Sequence, residues 1–178
     1  MYPYNRNTQI YNTKIQAKED SSAKNGKNGK ANKNGNQDAD LSLDRRLMEL
    51  LTLAREETEQ MAERYQSMME NPDLTEATEL FKPMYLDEQK HKKQLREAMF
   101  TITKDTPEEV AAAPVEKPAD SKQMLEDTLL LEMDDISFYR DLLLNMPDND
   151  LRDIFFEIVT DKQNHCNGLN YIMIKYFS

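Results

Sequence analysis

Two pentapeptides hold the only two histidines of the chain: Asp87-Glu88-Gln89-Lys90-His91 and Asp161-Lys162-Gln163-Asn164-His165. Carboxylates and imidazoles about a helical turn apart are the donor types that bind divalent metal ions. The likeness extends beyond the pentapeptides. Glu57, Tyr65, Pro72-Asp73, Asp87 and His91 have counterparts in Glu132, Tyr139, Pro147-Asp148, Asp161 and His165, every offset being 74 or 75 residues. Two helical hairpins therefore repeat one design. A Glu on one helix and Glu-x-x-His on the next, given twice, is how a four-helix bundle holds two metal ions bridged by carboxylates. The second copy has Lys162 where the matching Glu belongs, and the chemistry of the chain turns on that difference.

The elements that must position these residues follow from apolar spacing. Leu43, Leu47, Leu50, Ala54, Glu57, Met61, Arg64 and Met68 form one helix face, which ends at Asn71-Pro72. Asp73-Leu74-Thr75-Glu76 has the form of a capping box that starts a second helix. Its stripe is Phe81, Met84, Glu88, His91, Leu95, Ala98 and Ile102, with Pro83 expected to kink it. A third helix from Ser121 carries Leu125, Leu129, Glu132, Ile136, Tyr139, Leu143 and Met146. The fourth carries Leu151, Phe155, Ile158, Lys162, His165, Leu169, Ile172 and Tyr176. The hairpins span 41–103 and 121–178, joined by a Pro/Ala-rich linker at 104–120. Extended, such a linker reaches roughly 56 Å, enough to return along helices of about 42 Å. The expected fold is an all-α antiparallel four-helix bundle over residues 41–178, with one long crossover between helices 2 and 3. Residues 1–40, rich in Asn, Lys and Gly, read as a disordered tail. Its tyrosines at 2, 4 and 11 are a candidate sticky end.

Each stripe is apolar except near its middle. Measured from the two turns, Glu57, Glu88, His91, Glu132, Lys162 and His165 fall at one level of the bundle. Buried ionisable groups are costly unless paired or metal-bound, so six at one depth mark a site or its remains.

The charge balance narrows the function. The chain carries a net −10, with +3 in residues 1–40 and −13 in the rest. An acidic folded part argues against nucleic acid. A single cysteine, Cys166, excludes an internal disulfide framework and any four-cysteine metal module. No apolar run approaches a membrane span, and no signal-peptide core is seen, so a soluble cytoplasmic protein is expected. The eleven methionines and Tyr65, Tyr85 and Tyr139 read as core filler, the tyrosines with satisfied hydroxyls. Lys90, Lys92 and Lys93 read as a solvated face, and Cys166 as a small buried residue.

From about Leu43 onward the chain resembles the ferritin-like superfamily, in its rubrerythrin-related branch of small bacterial proteins. Leu86-Asp87-Glu88-Gln89-Lys90-His91-Lys92-Lys93 is close to that family's helix-two motif. Phe138-Tyr139-Arg140, Phe156-Glu157-Ile158 and the spacing to His165 are similar to its second hairpin. The resemblance implies iron, one or two ions, held by Glu57, Glu88, His91, Glu132 and His165, with activity toward oxygen or peroxide. Asp135 is a further candidate ligand, although an exposed Asp is at least as consistent with its place in the sequence. No rubredoxin-like module is present, so electrons would come from an external donor. Bundles of this family often form homodimers.

Lys162 leaves three readings open. Asp161, four residues before His165, supplies the missing carboxylate. Or a single metal remains on Glu57, Glu88 and His91 with help from Glu132. Or the Lys162 ammonium replaces the metal charge and pairs with Glu57, Glu88 and Glu132. Two functions follow: a non-haem iron protein with a partly degenerate dimetal site, or a metal-free helical structural or interaction module. Spore-coat proteins with ferritin-like folds are a precedent for the second.

Overall fold

The computed structural model describes residues 35–109, 120–146 and 148–177. Regular structure among them is helical throughout: α1 (Gly35–Met69), a 3-10 turn (Pro72–Ala77), α2 (Thr78–Thr103), α3 (Ser121–Asn145) and α4 (Asn149–Phe177). Most of the tail, with Tyr2, Tyr4 and Tyr11, lies outside the described residues, as do residues 110–119 of the linker and Pro147. Residues 35–40, assigned above to the tail, are the first turns of α1. Among the described residues no helix is long and apolar enough to cross a membrane.

The chain divides into two compact units, Met1–Leu50 and Leu51–Ser178. The described part of the first is the opening of α1, where Arg45 and Glu49 pair at 3.3 Å one turn apart. In the second, local chemistry sets the helix ends. Asn71, not Asp73, caps the turn after α1: its Oδ1 accepts the Asp73 N–H at 2.9 Å. The Asp73 carboxylate is engaged elsewhere, accepting from Ser121 Oγ at 3.2 Å, so the capping box expected at 73–76 does not form. The chain instead winds a tight 3-10 turn before α2. Pro83 lies inside α2 with its ring exposed, and the helix runs on through it. At the far end Lys104 takes a left-handed φ of 62°, and its N–H closes the helix on Phe100 O at 2.8 Å. Asp120 caps α3 through the Lys122 N–H, and Asp148 Oδ1 accepts from Leu151 N at the start of α4.

Side chains from all four helices meet in one core, where Met61, Tyr65 and Met68 of α1 join Phe81 and Met84, Leu125, and Leu169 and Ile172. On α2 and α4 the buried positions are the expected stripes through Glu88, His91, Lys162 and His165. On α1 and α3 the stripe is rotated by about one residue. The centre of α1 runs through Leu51, Ala54, Thr58, Met61, Tyr65 and Met68, leaving Glu57 and Arg64 half-buried on its flank. That of α3 runs through Leu125, Thr128, Glu132, Asp135, Tyr139 and Leu142, so Asp135 points inward where Ile136 was expected. Along each helix the polar positions are bracketed by apolar ones. A fully buried Leu or Phe contributes about 1.5–3 kcal/mol, whereas an unpaired buried ion costs several. The apolar layers can carry a charged level between them only if its charges pair.

Candidate functional site

They do pair. Glu88 and His91 of α2, Glu132 and Asp135 of α3, and Lys162 and His165 of α4 converge in the interior, none more than 4 % exposed. Lys162 Nζ donates to Glu88 Oε1 and Glu132 Oε2, both at 3.1 Å. It also lies 2.7 Å from Asp135 Oδ2, an ion pair off the line of a regular hydrogen bond. His165 Nδ1 meets Glu132 Oε1 at 3.0 Å, while its Nε2 meets Asp87 Oδ2 at 3.2 Å. Carboxylates only accept, so an imidazole with an acid on each nitrogen is doubly protonated.

The two repeats brace each other. Asp87 of the first pentapeptide holds the histidine of the second, and Asp161 of the second holds His91 Nε2 at 3.0 Å. Asp161 also receives Lys90 Nζ at 2.7 Å, so it serves at the rim rather than completing the centre beside Lys162. The buried hydroxyls are satisfied as well. Tyr65 donates to Glu132 Oε1 at 2.6 Å, and Tyr139 bonds Thr58 at 2.9 Å and Ala54 O at 3.2 Å. Burial pushes both phenols well above the ordinary tyrosine range. Besides Asp135 Oδ2, two atoms of the centre have no hydrogen-bond partner, Glu88 Oε2 and His91 Nδ1, which face each other at 3.6 Å.

Glu57 is less buried than these six. It is half-buried on α1, where its charge, after burial, helps raise the pKa of Asp135. The inward turn of Asp135, the crossed Asp87 and Asp161 contacts and the part of Thr58 were not found from sequence. An aspartate four residues before each histidine was the available signal for the crossed pairs.

Electrostatics follows from geometry. Burial opposes the Lys162 charge, but Asp135, Glu132 and Glu88 outweigh it and hold the ammonium well above its usual pKa. Burial likewise opposes ionised Glu88 and Glu132, and Lys162 with His165 overcomes it, so both carboxyls stay below the usual range. Asp135 goes the other way. Burial, with repulsion from Glu57 and Glu132, raises it well above the usual value despite Lys162. Of the three acids around Lys162, Asp135 is the one that most readily takes up a proton. Cys166 is raised to about 12, chiefly by burial, which makes it an inert thiol.

His165 carries a pH signature. Burial alone would lower its pKa, but the bonds to Asp87, Glu132 and Glu88 raise it from 6.5 to about 11. A raised folded pKa gives stability that is complete below the unfolded value and is lost as pH rises through the folded one. Between about pH 7 and 10 the folded chain therefore holds one more proton than the unfolded chain. Unfolding free energy should fall through that range by up to about 1.4 kcal/mol per pH unit. Denaturant titrations at several pH values measure this, and His165→Gln should flatten the slope. An equally steep decline in the variant would assign the effect to other groups.

No family model matches the chain, and neither does any curated protein or any solved structure.

Proposed function

We propose that the chain is a ferritin-like protein, an antiparallel four-helix bundle with one long crossover between α2 and α3, in which a lysine has taken the place of the metal pair. On this reading it serves as a non-enzymatic structural or interaction module. The observation that carries the reading is the position of Lys162 Nζ, 2.7–3.1 Å from Asp135, Glu132 and Glu88. A pair of divalent ions does not fit among these donors. The cation between the carboxylates is already present, and His165 has both nitrogens turned to acids, with no lone pair for a metal. The centre is also closed: Glu88, His91, Glu132 and Lys162 have no exposed surface through which a substrate could reach them.

One observation favours a second reading, a single iron ion. Ligand atoms of Glu88, Glu132 and His165 all lie within 4.8 Å of one another. Iron there would supply redox chemistry toward oxygen or peroxide, but only after His165 loses a proton and Lys162 turns away.

The two readings part under chelation. In the metal-free reading the native protein melts at the same temperature in EDTA as in a tenfold excess of ferrous, manganous or zinc ion. A ligand bound at a hundred times its Kd adds about 2.7 kcal/mol. A rise of several degrees with any one ion, abolished by Glu88→Gln, would overturn the reading.

A further inference from the structure

A different cluster of charge lies outside the buried centre, along α1 and α2. A cavity of about 470 Å³ there is lined by four cations, Arg55, Lys92, Lys93 and Arg96, and by three carboxylates, Glu59, Glu97 and Glu109, which leaves one cation in excess on a chain of net charge −10. Three of them have a carboxylate in reach. Lys92 pairs with Glu59 at 2.6 Å, Lys93 with Glu97 at 3.9 Å and Arg96 with Glu109 at 2.5 Å.

Arg55 does not, although it is the most buried of the four at 6 % exposure. Its guanidinium reaches Met99 Sδ at 3.8 Å and the Glu108 carbonyl at 2.7 Å. Among the described residues no carboxylate oxygen lies within ion-pairing distance of it. A guanidinium has five donors in a planar fork; here a thioether and one carbonyl take up part of the fork, and Glu109 and Glu59 offset its charge only from beyond ion-pairing distance. Burial, then the like charge of Arg96, lowers its pKa below the usual arginine value. Such a group in the wall of a cavity is arranged to receive an anion.

We propose that this cavity binds a small phosphorylated molecule, with Arg55 and Arg96 gripping the phosphate and Glu109 holding its place in the empty state. Two guanidinium forks match phosphate oxygens in pairs, and the two lysines add point charge at the rim. The volume falls within the range of small-molecule sites and exceeds what bare phosphate needs, leaving room for an organic part. Glu109 is a displaceable occupant, because its side chain is 77 % exposed and it belongs to the linker rather than to a helix.

The test uses the full chain, inorganic phosphate as probe and chloride to match ionic strength, with citrate in a parallel titration for the polycarboxylate class. Calorimetry should show one saturable phosphate per chain. Glu109→Gln should tighten it about threefold by removing the competing carboxylate. Arg55→Gln should weaken it about tenfold or more. Should Arg55→Gln fail to fold, Arg96→Gln at the more exposed position must give the same loss. The proposal fails if no saturable phosphate binding is seen. It fails equally if binding is indifferent to these substitutions, an adventitious ion only, or if citrate binds more tightly than phosphate.

Discussion

Lys162→Met is expected to destabilise the metal-free protein by about 3–5 kcal/mol at neutral pH, roughly 10–20 °C in Tm. Methionine fills nearly the same volume, so packing loss is small and the effect isolates the charge. Without the ammonium, Glu88 and Glu132 keep His165 as their near cation and lose the strongest influence that opposes burial. The acid response should reverse along with the stability. In the native chain both acids have depressed pKa values, so their contribution is present above the unfolded value near 4.5 and fades as pH falls through the folded one. In the variant burial dominates and raises them, so the folded state takes up protons first and stability recovers as pH falls. Adding Glu88→Gln and Glu132→Gln to Lys162→Met should restore much of the loss at neutral pH. A variant that melts within a degree or two of the native protein would show that the ammonium is not compensating buried acids.

Lys162→Glu should have the larger effect, and one that metal reverses. It places a further carboxylate among Glu88, Glu132 and Asp135 with only His165 as a near cation. In chelator this variant should be largely unfolded, since uncompensated buried charge of this kind exceeds the marginal stability of a small domain. A divalent ion supplies the missing charge, and His165 can give up its proton to ligate it. Binding to the folded state alone then appears as stability, about 4 kcal/mol at a thousandfold excess over Kd. Circular dichroism in EDTA and in excess manganous ion measures both states. A variant folded equally well in either condition would contradict the account.

The parts of the fold that could be read in the sequence are those where polarity and position agree. On α2 and α4 the stripes through Glu88, His91, Lys162 and His165 stand out, because Asp87, Gln89, Lys90, Lys92, Asp161, Gln163 and Asn164 beside them are polar and none is buried. On α1 and α3 two adjacent rows compete. Hydropathy ranks Ile136 above Asp135 and spacing favours Glu57 over Thr58, yet Asp135 and Thr58 are the buried members. What turns them inward is a partner on another helix, Lys162 for Asp135 and Tyr139 for Thr58. No single-helix pattern contains that information. Equal distance from the two turns puts Glu88, His91, Glu132, Lys162 and His165 at one depth, where all five are buried together. Glu57 shares that depth but is only half-buried, because register along a helix says nothing of rotation about it. The ammonium accordingly pairs with Asp135 in the place foreseen for Glu57. Spacing alone offers Asp161 as a replacement ligand, but its contact with His91 depends on the distance between α2 and α4.

The central claim is that the Lys162 ammonium stands where a metal charge would otherwise be needed. Its most direct test is the ferrous-iron stoichiometry of the anaerobically purified native protein, with Lys162→Glu measured alongside as the positive control. The account predicts no iron above background in the native chain and binding in the variant. One or two ions per native chain, lost on Glu88→Gln, would contradict it, because iron would then be held in spite of the lysine.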